Sequence, residues 1–123
     1  MYRIAALAAL LFSAAVLPAL AQSGVNALAD NVEPRVIEWR RHIHQNPELS
    51  FQEVKTAAYV AEALRRMPGI EVQTGIAKTG IKAVLKGGKP GQVVALRADM
   101  DALPVEERND LPFRSQAKAT WQG

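Results

Sequence analysis

The spacing of apolar and polar positions changes character along the chain. Residues 4–20 are almost unbroken apolar side chains, with Ser13 the polar exception. Further on, Val32, Val36, Trp39 and Ile43 recur at helical spacing and predict a helix over about residues 32–45. Asp30 or Asn31 would be its N-cap, and Pro34 is tolerated in a first turn. Asn46-Pro47 ends it, because proline disfavours helical geometry in the residue before it. Ser50-Phe51-Gln52-Glu53 has the form of a capping box, so a second helix is expected from there, with Val54, Ala57, Ala58, Ala61 and Leu64 as its apolar stripe. Met67-Pro68-Gly69 is its stop. Residues 70–73 then alternate like a strand, and residues 81–85 form a second after a turn at Thr79-Gly80. A loop at residues 87–91 leads to a third, residues 92–97, whose apolar run 93–96 suits a strand covered on both faces. Residues 117–121 read as the opening of a further strand, with Gln122-Gly123 as a turn. The order implies an α/β fold with helices packed on a mixed sheet.

Composition narrows the function classes. The 123 residues carry 15 Lys+Arg against 12 Asp+Glu, a net charge of +3, and 49% are hydrophobic, as in an ordinary globular chain. The positive charges are interleaved with acids rather than gathered in a stripe, so a nucleic-acid partner is not expected. Without cysteine, a disulfide framework, a Cys-ligated zinc site and a Cys nucleophile are excluded from these residues.

The apolar start changes the picture of the N-terminus. A positive Arg3, the apolar run, Pro18 and the small-x-small pattern Ala19-Leu20-Ala21 have signal-peptide anatomy. The expected organisation is a signal peptide at 1–21, a linker at 22–31 and a folded portion at 32–123. Cleavage after Ala21 implies a periplasmic or secreted product.

Two segments could carry chemistry. His42 and His44 lie two apart on a helix, about 200° around it, and cannot meet on one ion from there. One surface histidine and one partly buried, hydrogen-bonded histidine are the expectation. The other segment is Arg97-Ala98-Asp99-Met100-Asp101-Ala102-Leu103-Pro104, directly after the expected third strand, where sites gather in open α/β sheets. Asp99 and Asp101 project to one side of an extended chain, and two converging carboxylates need a cation, an arginine or a shared proton. Spacing alone equally allows two turn-forming aspartates.

Residues 40–53, Arg40-Arg41-His42-Ile43-His44-Gln45-Asn46-Pro47-Glu48-Leu49-Ser50-Phe51-Gln52-Glu53, closely resemble the opening motif of a metal-dependent amidohydrolase family. It is the hippurate hydrolase, aminoacylase and indoleacetyl-amino-acid hydrolase group, related to the zinc carboxypeptidases. Residues 74–80, 94–105 and 111–115 resemble the same group in the same order. The resemblance implies the first part of a larger two-domain metallohydrolase catalytic domain, with an inserted lid or dimerisation domain and a homodimer in the full-length protein. It implies hydrolysis of the amide bond of N-acyl amino acids or small peptides, with divalent zinc, manganese or a similar ion activating water. In much of the wider family a His-x-Asp stands where this chain has Asp99-Met100-Asp101. The match carries onto Asp101 the role of orienting a ligand, and the departure leaves Asp99 adjacent to the site without a ligand role. The family's ligands come from a His-Ala-Cys-Gly-His-Asp segment, a Glu-Glu pair and later histidines, so metal ligands are expected beyond Gly123 and this chain alone is expected to be inactive. The competing expectation is a small non-catalytic periplasmic binding or regulatory module derived from the same fold.

Overall fold

A computed structural model describes residues 17–120, with side-chain surroundings from Gly24 onward. Most of the expected signal peptide, and the expected turn at Gln122-Gly123, lie outside the described residues. The chain divides into two compact units, with the boundary between Arg40 and Arg41.

Helix α1 spans Leu17–Gln45, 29 residues, and so begins well before the expected start near residue 32. It runs through the stretch expected to be a linker. Pro34 therefore sits in the helix interior, where it removes one backbone donor. Of the anticipated stripe, Val32 and Val36 are exposed, whereas Trp39 and Ile43 are half-buried. Asn46 closes the helix as expected. Its backbone N–H reaches the carbonyls of His42 and Ile43, and its side-chain amide donates to His42 O at 2.9 Å. Among the described residues no helix is long and apolar enough to cross a membrane.

Helix α2, Val54–Arg65, starts four residues after Ser50, and the expected capping box does not form. The chain turns first, with Phe51 in the left-handed region at φ 61° and Gln52 N–H donating to Leu49 O. Glu53 is the N-cap, yet its carboxylate makes no capping bond to the helix. Its buried face is set by Thr56 and Ala61, while Val54 and Ala58 point outward, a rotation from the expected stripe.

Strands β1, Ile70–Ile76, and β2, Gly80–Leu85, pair as an antiparallel hairpin in the register Ile70↔Leu85 to Ile76↔Gly80. A bulge between Thr74 and Ile76 falls at Gly75, whose φ of 79° favours glycine. At Gly80 a Cβ would stand 2.5 Å from Ile76 O, so the closing residue of the hairpin has no room for a side chain. Helix α2 packs against this hairpin.

The expected third strand is corrected. Residues 92–97 form no strand, and Val93 and Leu96 are 96% and 97% exposed. A both-faces-covered strand needs neighbours on either side, and the described sheet has two strands only, β1 and β2. The opening strand expected from residue 117 is likewise absent over residues 117–120. The α/β character stands, but the described sheet is antiparallel rather than mixed.

Candidate functional site

The turn between the helices is organised by Glu48. Its carboxylate accepts the backbone N–H of Lys55 at 3.2 Å, that of Thr56 at 2.7 Å and the Thr56 hydroxyl at 2.9 Å. Those amides belong to the first turn of α2, where no intrahelical acceptor exists. Glu48 thus supplies the cap that Ser50-Phe51-Gln52-Glu53 was expected to supply. Burial pushes its pKa upward, but the bonds from Thr56 and Lys55 win and hold the carboxyl below its ordinary 4.5.

Glu53, displaced from that task, links local and distant chain. Its Oε1 accepts Phe51 N–H at 2.9 Å, and its Oε2 accepts the Thr79 hydroxyl at 2.7 Å. The side chain is buried, which raises its pKa, yet the Thr79 and backbone bonds lower it overall. The hairpin turn is thereby tied to the start of α2.

Onto this turn docks the aspartate-bearing segment. Ala102 N–H donates to Glu48 O at 2.8 Å, and Leu49, with Ala61 one of two buried apolar residues among the described residues, forms an isolated parallel bridge with Ala102. The segments of residues 40–53 and 94–105 are therefore brought together, which sequence spacing alone does not reveal. Asp101, directly before Ala102, is exposed. Asp99 is also exposed and pairs with Arg97, whose Nε and guanidinium nitrogen lie 3.1 and 3.0 Å from its Oδ1.

A second junction joins the last turn of α1 to residues 107–115. His44 Nε2 lies 2.7 Å from Glu107 Oε2, which also accepts Ser115 N–H at 3.1 Å. Glu107 Oε1 accepts the Asn109 amide at 3.2 Å. The Ser115 bond lowers the Glu107 pKa most, burial opposes it, and Asn109 and His44 add to the lowering. Phe113 meets His44 edge-on at 5.6 Å, and the Arg41 guanidinium lies over the same ring at 4.9 Å. His42 instead stacks on Tyr59 of α2 at 4.0 Å. The two histidines go separate ways, one exposed and stacked, the other half-buried and hydrogen-bonded, as their spacing implies. An open cavity of about 550 Å³ lies beside the junction, lined by His44 and residues 105–109.

These residues do not fit a metal. Asp99 is taken by Arg97 and His44 by Glu107, and among the described residues no three His, Asp or Glu side chains gather as an ion would require. Glu48 and Glu107 carry most of the organisation, and neither was singled out by sequence. Glu107 directly follows another glutamate and its partner is 63 positions away, so no local pattern marks it.

Known proteins place the chain. No family model matches it. It is 52% identical over 88 residues to the thermostable carboxypeptidase 2 of Saccharolobus solfataricus, covering 71% of this chain and 22% of that protein. It is 50% identical over 92 residues to the N-acyl-L-amino acid amidohydrolase of Geobacillus stearothermophilus, covering 75% and 25%. The hippurate hydrolase of Campylobacter jejuni is 49% identical over 77 residues, covering 63% and 20%. The crystal structure of a "putative aminohydrolase" from methicillin-resistant Staphylococcus aureus superposes with a TM-score of 0.68 at 47% identity, covering 72% of this chain and 23% of that one. The chain is homologous to a part of these amidohydrolases, and its described fold is α/β. It spans a quarter or less of the length of these relatives.

Proposed function

We propose that the protein containing this chain is an exported, metal-dependent amidohydrolase that releases amino acids from N-acyl amino acids or small peptides. Identity near 50% to an N-acyl-L-amino acid amidohydrolase and a hippurate hydrolase is the observation that carries the substrate class. Export rests on Arg3, the apolar run of residues 4–20 and Ala19-Leu20-Ala21. A zinc or manganese requirement and a dimeric full-length protein rest on the family resemblance. On the same resemblance the metal ligands are expected beyond Gly123, and these 123 residues alone are expected to be inactive.

Within the chain, Asp101 is assigned the orienting role, accepting a hydrogen bond from a ligand imidazole and fixing its tautomer. Its exposure on a segment docked beside the Glu48 turn is compatible with reaching a ligand on another part of the protein. Asp99, held by Arg97, is given no such role. Asp101→Asn keeps the size and loses the charge. In the protein made from its complete coding sequence it should lower hydrolysis about 10–100-fold without unfolding. Asp99→Asn should do less. Full activity and metal content in folded Asp101→Asn would leave Asp101 a turn residue.

A further inference from the structure

The segment that carries Asp101 has little apolar hold on the rest of the unit. Leu103 and Val105, the apolar side chains that follow it, are 77% and 75% exposed, and an open cavity lies beside residues 105–109. Its nearest attachment is the Ala102–Glu48 backbone bond. One such bond favours a docked segment only by roughly fivefold. A second attachment is needed for a side chain that must stand in one place.

Glu107 has the required connections. Five residues beyond Ala102, its carboxylate gathers His44 from the end of α1, the Ser115 N–H and the Asn109 amide. Its side chain is only 13% exposed, and bonds to an ionised carboxylate are stronger than bonds between neutral groups. His44 is braced in turn by the edge of Phe113, which the Arg41 guanidinium covers. We propose that His44 and Glu107 are positioning residues for the hydrolysis: their contact clamps the segment from Ala102 to Glu107 at its far end and so fixes where the Asp101 carboxylate stands. The inference rests on the orienting role given to Asp101 above.

The test uses the protein from its complete coding sequence, with N-acetyl-L-methionine and N-benzoylglycine as substrates in excess manganese. Asp101→Asn, Glu107→Gln and the double variant are compared for kcat and KM, with folding checked by circular dichroism. Deuterium uptake over residues 99–106 is read in parallel. Glu107→Gln should lower kcat about tenfold with KM little changed, and should raise deuterium uptake in that segment. It should cost little more when added to Asp101→Asn, because a clamp that works through Asp101 has nothing left to position. Losses that multiply independently, or unchanged uptake, overturn the clamp even if Asp101 matters. Raised uptake with a fully active Asp101→Asn instead overturns the reading of Asp101 and leaves the clamp as a physical contact without that purpose. Should Glu107→Gln not fold, His44→Gln, which leaves the Ser115 and Asn109 bonds in place, is read in the same cycle. If both variants fail to fold, the pair is a requirement of folding and the positioning role is wrong.

Discussion

Removing the Glu48 carboxylate should loosen the first turn of α2 by an amount the structure allows one to work out. Glu48→Ala deletes three hydrogen bonds, two of them from the otherwise unsatisfied amides of Lys55 and Thr56. Loss of an ordinary N-cap costs about 0.5–2 kcal/mol. A negative charge at a helix N-terminus contributes about 0.3–1 kcal/mol, and the two effects overlap. Because Glu48 is only partly shielded from water, the charge contributes at the low end, for a total of about 1–2 kcal/mol. Exchange of the Thr56 amide, followed in the protein from its complete coding sequence, should then accelerate about 5–30-fold. Glu48→Gln retains an acceptor and should lose less. The folded pKa lies below the ordinary 4.5, so the stabilisation is fully present above that value and disappears as pH falls through the folded pKa. The difference between the protein and Glu48→Gln should therefore be fully present at pH 7 and shrink below about pH 4.5. Exchange within twofold of the parent in Glu48→Ala, or a difference that persists undiminished in acid, refutes the capping assignment.

Other outcomes follow from single contacts. Gly80→Ala places a methyl group against Ile76 O and should destabilise the hairpin by about 1–3 kcal/mol, seen as a lowered denaturant midpoint; an unchanged midpoint would mean the turn relaxes freely. N-terminal sequencing of the product exported by a bacterial host should begin at Gln22, whereas an intact Met1 in the membrane fraction contradicts cleavage. Residues 22–123 made alone should self-associate through the exposed Val93, Val94 and Leu96, and Val94→Lys should reduce this in sedimentation velocity; a monodisperse monomer of the unsubstituted chain contradicts it.

What sequence could show here was local. The stops at Asn46-Pro47 and after Arg65 follow from proline and glycine chemistry within a few residues, and both helices end close to where it puts them. The hairpin, too, was visible in its alternation and in Thr79-Gly80. The start of α2 was misplaced because its side-chain cap is Glu48, which lies outside the expected capping box. Ser50-Phe51-Gln52-Glu53 satisfies the pattern, but the turn at Phe51 swings Glu53 toward Thr79 and leaves the helix amides to Glu48. The apolar run at residues 93–96 carries the signature of a covered strand, and the signature cannot say whether the covering strands are at hand. For the site, the Asp99–Asp101 pair was marked by its motif and by a strand expected before it, and that strand does not form over residues 92–97. The docking of its segment on Glu48 and the His44–Glu107 contact were not legible, since partners 54 and 63 positions apart leave no periodic trace.

Direct hydrolysis tests whether this chain is part of an enzyme that cleaves N-acyl amino acids, as proposed. The protein from its complete coding sequence, purified and supplied with manganese or zinc, is offered N-acetyl and N-benzoyl derivatives of several amino acids, and the freed α-amine is quantified. Amine release should grow linearly with enzyme and be lost on chelation. Folded, metal-loaded protein that releases no amine from any of these substrates would contradict the proposal.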